Sequence, residues 1–292
     1  MGCCHALEAF RACNRLGLPS ILEQYTGHRA MARQLLEDEY ARWGVELDEA
    51  ELMRMGFSDM HLDRNAQELE LADVVMVSAP LVAKTLTDRG TPPDRIHLAP
   101  YGVGTSAFPE HHTTRRDGEP LQLVFVGSQG LLKGVPYLLE ALAKLGPGAA
   151  HLHAFGDLQL PQRMLKPYRA LMTEHGYVTR DVLKRHLQRC HGTVLPSLWE
   201  GFGLVVYECL SSGLPMIVIR NVAATVQDGV EGFVVPIRDS DALAEAILEL
   251  RDETKRRHMA RAAAEGARNR NWEHYRRALV ETMGIGGEAA TS

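Results

Sequence analysis

Two glutamates, Glu200 and Glu208, flank a Gly201-Phe202-Gly203 turn in the segment LPSLWEGFGLVVYECLSSGLP, which runs from Leu195 to Pro215. A strand ending at Leu195 and a helix opening at Leu204 would put that turn at the carboxyl end of a strand. Open α/β sheets bind their ligands there. A helix N-terminus preceded by small residues offers unpaired N–H groups and the positive end of a dipole, which suits a diphosphate. Glu208 then falls inside the helix among apolar neighbours, where a carboxylate is costly unless something hydrogen-bonds it. Ribose hydroxyls would do so, as they do for acidic side chains in dinucleotide-binding folds; a salt bridge is the bland alternative. Glu200, at the mouth of the turn, is placed to meet whatever lies beyond the phosphates, or else is a solvated loop carboxylate.

Positioning these groups requires a sheet, and the pattern around them predicts one. Leu121–Val126 (LQLVFV), His151–Phe155, Thr193–Leu195, Met216–Ile219 and Phe233–Val235 are short apolar runs that read as strands. Between most of them lie helical periods: Val135–Leu145 with Leu138, Leu139, Leu142 and Leu145 on one face, Arg180–Gln188, Leu204–Ser211, and Asp241–Leu250 with N-cap chemistry at Asp239. Alternating strands and helices predict a parallel, doubly wound sheet. The polar stretch from Gly104 to Pro120 reads as a linker before it. Ahead of the linker, Leu7–Arg15 and Ala30–Trp43 read as helices, with Ser20–Gln24, Val74–Ser78 and Ile96–Ala99 as strands. That is thin for an independent α/β domain, so the first zone is expected to be a cap or the back half of a domain.

Composition narrows the classes. Of 292 residues 45% are apolar and 24% charged, which excludes disordered and collagen-like chains. The 32 Lys+Arg and 37 Asp+Glu give a net charge of −5, a poor match to nucleic-acid backbones. Five cysteines without a C-x-x-C pair predict a reduced, cytoplasmic protein rather than a disulfide framework. Neither a signal peptide nor a run long enough to span a bilayer is present. There is no P-loop and no G-x-G-x-x-G; Cys3, Cys4 and His5 fit no zinc spacing, and His111-His112 sit in the linker.

The segment from Pro196 to Pro215 resembles the E-x7-E motif of retaining GT-B glycosyltransferases, specifically glycosyltransferase family 4. VFVGSQGLLKGVPYLLEAL (Val124–Leu142) is similar to the family's glycine-rich strand, loop and helix with its Lys-Gly, and ELADVVMVSAPLVAKTLTDRG (Glu70–Gly90) followed by IHLAPYGV (Ile96–Val103) to the end of its N-terminal domain. NWEHYRRALVETM resembles the C-terminal helix that crosses back. The resemblance implies an α/β fold of GT-B type: a partial N-terminal, acceptor-side domain (1–108), a linker (109–120), a complete Rossmann-like nucleotide-sugar-binding domain (121–270), and the helix and tail (271–292).

It also implies roles. Glu200 would face the donor sugar hydroxyls, the amides of Gly201, Phe202, Gly203 and Leu204 the diphosphate, and Glu208 the ribose. Gly127 and Ser128 belong to the donor loop. Lys133 would neutralise the leaving diphosphate, and its place opposing a helix dipole supports that. Val178, in His175-Gly-Tyr-Val178, would touch the nucleobase, a core strand being the alternative there. His28 would be the acceptor-side histidine, a surface loop histidine being the alternative. Two departures stand out: Gly127-Ser128-Gln129 lacks the family's usual arginine, unless Arg220 replaces it, and no glycine-rich acceptor loop precedes the first helix.

The expected function is retaining transfer of a hexose from a nucleoside-diphosphate sugar to a hydroxyl acceptor (glycan, lipid-linked or small molecule). No metal or other cofactor is required, since Lys133 and helix amides can balance the leaving charge. The partners are thus the nucleotide sugar and an unnamed acceptor, with peripheral contact at the inner face of the membrane left open. The competing readings are a catalytically incomplete nucleotide-sugar-binding fragment and, third, a nucleotide-sugar epimerase.

Overall fold

The computed structural model describes residues 4–104, 113–157, 159–201, 203–220 and 226–284. They divide into two compact units, one within Met1–Gly102, Glu200–Phe202 and Trp272–Ser292, the other within Val103–Trp199 and Gly203–Asn271. No helix among the described residues is long and apolar enough to cross a membrane.

In the first unit the chain runs α1 (Leu7–Leu16), β1 (Ile21–Gln24), α2 (Arg29–Arg42), α3 (Glu49–Met55), α4 (Asp59–Leu71), β2 (Val74–Val77), α5 (Pro80–Thr87) and β3 (Ile96–Leu98). The strands form a parallel sheet in the order β1-β2-β3, with Ile21 opposite Val74 and Val75 opposite Ile96. Leu22, Val75, Met76, Val77, Leu36 and Leu86 fill its core. Ala6 cannot cap α1 with a side chain, and the cap comes from α4 instead. The fully buried Glu68 carboxylate accepts from the amides of Cys4, Ala6 (2.8 Å) and Leu7 (3.1 Å). Negative charge at a helix N-terminus is favourable, and these bonds make burial of the carboxylate tolerable.

The second unit runs β4 (Leu121–Val126), α6 (Val135–Leu145), β5 (Ala150–Phe155), α7 (Gln162–Leu165), β6 (Met172–Gly176), α8 (Arg180–Leu187), β7 (Gly192–Leu195), α9 (Leu204–Ser211), β8 (Met216–Ile219), β9 (Gly232–Val235), α10 (Ser240–Glu249) and α11 (Glu253–Arg268). A final helix, α12 (Trp272–Thr282), groups with the first unit. There Glu23 on β1 accepts from the hydroxyls of Tyr101 (2.8 Å) and Tyr275 (2.9 Å).

All six strands of the second unit are parallel, in the order β6-β5-β4-β7-β8-β9. β7 and β8 are buried throughout, as continuous apolar strands covered on both faces must be. Helix α6 packs on α10 and α9 on α11. The last of these was not anticipated from the sequence. Its buried stripe is Met259, Ala260, Ala263, Ala264 and Ala267, interleaved with arginines, so its apolar period is faint. Of the expected linker, residues 105–112 lie outside the described residues. Thr113 groups with the second unit and donates through Oγ1 to the Gln188 carbonyl (2.6 Å).

β4 leads outward to β5 and β6 on one side, while β7 opens the other half of the sheet. This strand order therefore reverses between β4 and β7, and the crevice at their carboxyl ends is where such sheets take ligands. His191 fastens the opposite ends of the same two strands. Its N–H donates to the Gln122 carbonyl (2.7 Å) and its Nδ1 accepts from the Gln122 N–H (2.8 Å). Nε2 is buried without a partner among the described residues.

Burial, reinforced by the Arg256 and Arg115 charges and opposed by Glu253 and Glu119, pushes the His191 imidazole down to about 4. An imidazole held below its unfolded pKa contributes stability that is complete above about pH 6.5 and is lost as pH falls toward 4. Denaturant midpoints measured across that window should fall with pH, and less steeply in His191→Gln; an unchanged slope in the variant would remove this assignment.

Candidate functional site

The crevice is built from the loops that follow β4 and β7. After β4 the chain passes Gly127 and the half-buried Ser128 to Gln129, whose N–H donates to the Asp157 carbonyl (2.6 Å) and whose carbonyl accepts from the Gln159 N–H (3.1 Å). The Gln129 side chain is 1% exposed and donates through Nε2 to the Gly156 carbonyl (3.3 Å). The position next to Ser128 therefore serves the β5 loop, and it supplies no charge to the crevice. Lys133 is the cation of this loop. It ends a single 3-10 turn, Leu131–Lys133, and is half-buried.

Gly134 follows in the left-handed region (φ 67°, ψ 16°) and caps α6. A Cβ there would lie 2.0 Å from the Pro196 carbonyl oxygen, so the β4 loop touches the β7 loop backbone to backbone. The Leu132 carbonyl accepts from the amides of Leu198 (2.8 Å) and Trp199 (3.4 Å). These bonds register the turn that carries Lys133 against the segment that leads to α9.

Gly203, also left-handed (φ 67°, ψ 57°), is the N-cap of α9, and no side chain caps that helix among the described residues. Its first residue, the apolar Leu204, is 46% exposed. The Val206 amide donates to the Gly203 carbonyl (2.8 Å), and an uncapped N-terminus whose first residue is exposed can offer its leading amides to an anion. Within α9, Val206, Tyr207, Cys209 and Leu210 are buried, and Glu208 lies at the margin with its side chain 16% exposed. Its carboxylate pairs with the guanidinium of Arg180 at the start of α8. Val178 is half-buried two residues earlier, and Thr179 caps α8 by accepting from the Val182 N–H (3.4 Å). The salt-bridge reading of Glu208 thus has an identified partner, and Arg180 is a site neighbour that local sequence spacing could not supply.

The second unit therefore gathers Gly127, Ser128, Lys133, Val178, Gly203, Leu204 and Glu208 on segments that leave the carboxyl ends of β4, β6 and β7. Arg220, the suggested substitute cation, is exposed just past β8 and donates its N–H to the Val235 carbonyl (3.3 Å). Phe202 lies outside the described residues. Glu200 and Gly201 group with the first unit, as does His28. His28 is the N-cap of α2 and donates its N–H to Thr85 Oγ1 (3.0 Å). Burial, with help from the Arg89 charge, holds its imidazole below the usual histidine range, and Nδ1 has no partner among the described residues.

Residues 120–253 match the family described as Glycosyl transferases group 1. Among curated proteins, the chain is similar to a D-inositol 3-phosphate glycosyltransferase of Acidothermus cellulolyticus, 30% identical over 249 residues, covering 72% of this chain and 56% of that one. It is also similar to an MMP alpha-(1->4)-mannosyltransferase of Mycolicibacterium hassiacum, 26% identical over 231 residues, covering 75% and 52%. The chain spans about half the length of the curated relatives it matches. Among solved structures, Anabaena Alr3699/HepE in complex with UDP and glucose superposes with a TM-score of 0.72 at 16% identity, over 96% of this chain and 75% of that one.

The contact at Gly134 generates a prediction. Alanine there meets both a positive φ, costing about 1 kcal/mol, and a backbone oxygen that must move away. Gly134→Ala should lower unfolding free energy by about 2 kcal/mol or more, in the range that marks strain at a special backbone position. Equilibrium urea denaturation measures it, with Gly17→Ala as the comparison: Gly17 has the same left-handed backbone (φ 65°, ψ 28°) and open space around its Cβ. Equal losses in the two variants would mean the loop contact contributes nothing.

Proposed function

We propose that this chain, which carries a Glycosyl transferases group 1 domain and has the GT-B fold, transfers a hexosyl group from a nucleoside-diphosphate sugar to a hydroxyl acceptor with retention of configuration. The observation that supports this most is the junction at Gly134. It registers one cation, Lys133, against the segment running into the uncapped α9, at the switch point of a Rossmann-ordered sheet.

In this reading the α9 amides and Lys133 hold the diphosphate. As the anomeric carbon–oxygen bond breaks, a charge develops on the departing diphosphate that these fixed donors stabilise more than they stabilise the bound donor. The acceptor oxygen bonds the anomeric carbon on the face the diphosphate leaves, and its proton passes to a diphosphate oxygen. Glu208, oriented by Arg180, takes the ribose hydroxyls, Val178 lies against the base, Glu200 meets the sugar hydroxyls and His28 serves the acceptor side. With Gln129 turned inward, Lys133 is the one side-chain charge that the β4 loop gives to the leaving group. Alr3699/HepE has been solved with UDP and glucose, which makes UDP the first nucleotide to try. A second reading, a nucleotide-sugar binder without turnover, is favoured by Gln129, whose buried side chain gives the leaving group no charge.

Binding and turnover separate the two. UDP, GDP or ADP at 100 times its dissociation constant should stabilise the protein by about 2.7 kcal/mol; no change in melting temperature with any of them would refute the donor site. Release of nucleoside diphosphate from the sugar nucleotide in the presence of acceptor marks the transferase, an isomerised donor an epimerase, and binding alone the second reading. Glu208→Ala should weaken the nucleotide itself by roughly 1.5–3 kcal/mol. Glu200→Ala should spare the nucleotide and weaken only its sugar conjugate. Calorimetry with both ligands checks that division, and equal losses in both variants would abolish it.

A further inference from the structure

Away from the crevice loops, the outer half of the second unit's sheet collects histidines from three elements. Along β5, alternate residues His151, His153 and Phe155 share one face, and β6 runs beside it with Thr173 opposite His153. The register shifts after Ala154, and His175 comes to stack on Phe155, with centroids 4.4 Å apart and rings 7° from parallel. Helix α8 brings His186 over this face, 4.6 Å from the His175 ring, 5.0 Å from Phe155 and 6.0 Å from His153. One nitrogen from each of His153, His175 and His186 lies within 4.8 Å of the others, and all three side chains are half-buried.

We propose that His153, His175 and His186 form a binding site for a divalent transition-metal ion of the zinc class. The ligands are His153 Nδ1, His175 Nε2 and a ring nitrogen of His186. His153 Nδ1 and His175 Nε2 face each other at 3.0 Å. Two imidazole nitrogens on a tetrahedral zinc, each bonded at about 2.05 Å, are separated by roughly 3.3 Å, so a small rotation of either ring admits the ion.

The surroundings select the tautomer that coordination needs. Gln122 Nε2 donates to the Pro120 carbonyl (3.0 Å), which turns its Oε1 toward His153. That oxygen accepts from His153 Nε2–H at 2.9 Å, so the Nδ1 lone pair points at the cluster. Metal-bound histidines are oriented by such a second hydrogen bond.

The electrostatics agree. Burial and the neighbouring rings push His153 down to about 4, and burial lowers His175 and His186 as well, so at neutral pH the three imidazoles keep their lone pairs. Three neutral nitrogen donors suit zinc, cobalt, nickel or copper, whereas magnesium and calcium demand oxygen. His151 stands aside, its Nε2 bonded to Thr173 Oγ1 (2.8 Å). Arg185 and Arg189 also bear on His186 and oppose a cation, which sets the affinity below that of a thiolate site. An ion bound here ties α8 to β5 and β6.

Calorimetric titration of the chelator-treated full chain with Zn2+, and of Co2+ by its visible absorption, tests the site. One equivalent should bind. His175→Gln and His186→Gln should each lower affinity more than 100-fold, with far-UV circular dichroism unchanged. Gln122→Leu, which removes the orienting bond together with the Gln122–Pro120 bond but no ligand, should lower it about 10–100-fold. Mg2+ should not compete. Absence of saturable binding to the wild type, or wild-type affinity in both histidine variants, would overturn the proposal, because any ion then bound would sit elsewhere.

Discussion

The backbone contact between the two loops at the sheet's switch point is the constraint from which the rest of the site follows. Parallel strands β4 and β7 lie side by side, but their loops depart to different halves of the sheet. Two loops leaving one point have no ladder to align them. The alignment comes instead from Gly134 lying against the Pro196 carbonyl and from the Leu132 carbonyl taking the Leu198 and Trp199 amides. Only a residue without a Cβ fits at such an approach, and only such a residue adopts the left-handed turn without strain. The Lys133-Gly134 dipeptide thus sets a charge directly beside the glycine that registers the two loops.

Electrostatically the crevice is sparse. The buried Gln129 adds no charge to it, and its side chain is committed to the Gly156 carbonyl. In the proposed reading the positive potential on the donor comes from Lys133 and the α9 dipole, equivalent to about half a unit charge. Arg180 adds little to that field, since its guanidinium is paired with Glu208. Its effect is geometric. It pairs with that carboxylate and so links the α9 side of the crevice to the chain that follows β6.

The sequence made five of the six strands of the second unit's sheet and the glutamate-bearing turn legible, because apolar strands, alternating helices and an E-x7-E around Gly-x-Gly are all local patterns; β6 (Met172–Gly176) escaped because, of its five residues, only Met172 is buried. Met216–Ile219 was read residue for residue, and Thr193–Leu195 to within one. What escaped was long-range or low in contrast. Helix α11 hides its buried face in alanines. Glu68 caps a helix some sixty residues away, and nothing in its own neighbourhood marks it. Arg180 and Glu208 meet only because α8 and α9 follow strands on either side of β4. The histidines of β5, β6 and α8 match no metal spacing in the chain, since the parallel register and its shift at Ala154 bring them together.

Helix α8 is where these threads meet. Only Leu183 and Leu187 of its eight residues are buried, so apolar packing holds it weakly. Segments with few buried apolar contacts lie at the low-stability end of a fold. Polar contacts at its two ends therefore weigh more than usual in setting its position: Arg180 on Glu208 at the first turn, and His186 over His175 and Phe155 at the last. Anything that orders the histidine end limits the freedom of the whole helix, and with it the placement of Arg180 at its first position and of Val178 just before it. A surface helix with two buried residues is thereby held at both ends by side chains whose partners sit on the sheet and on α9, which fixes the edge it presents to the crevice.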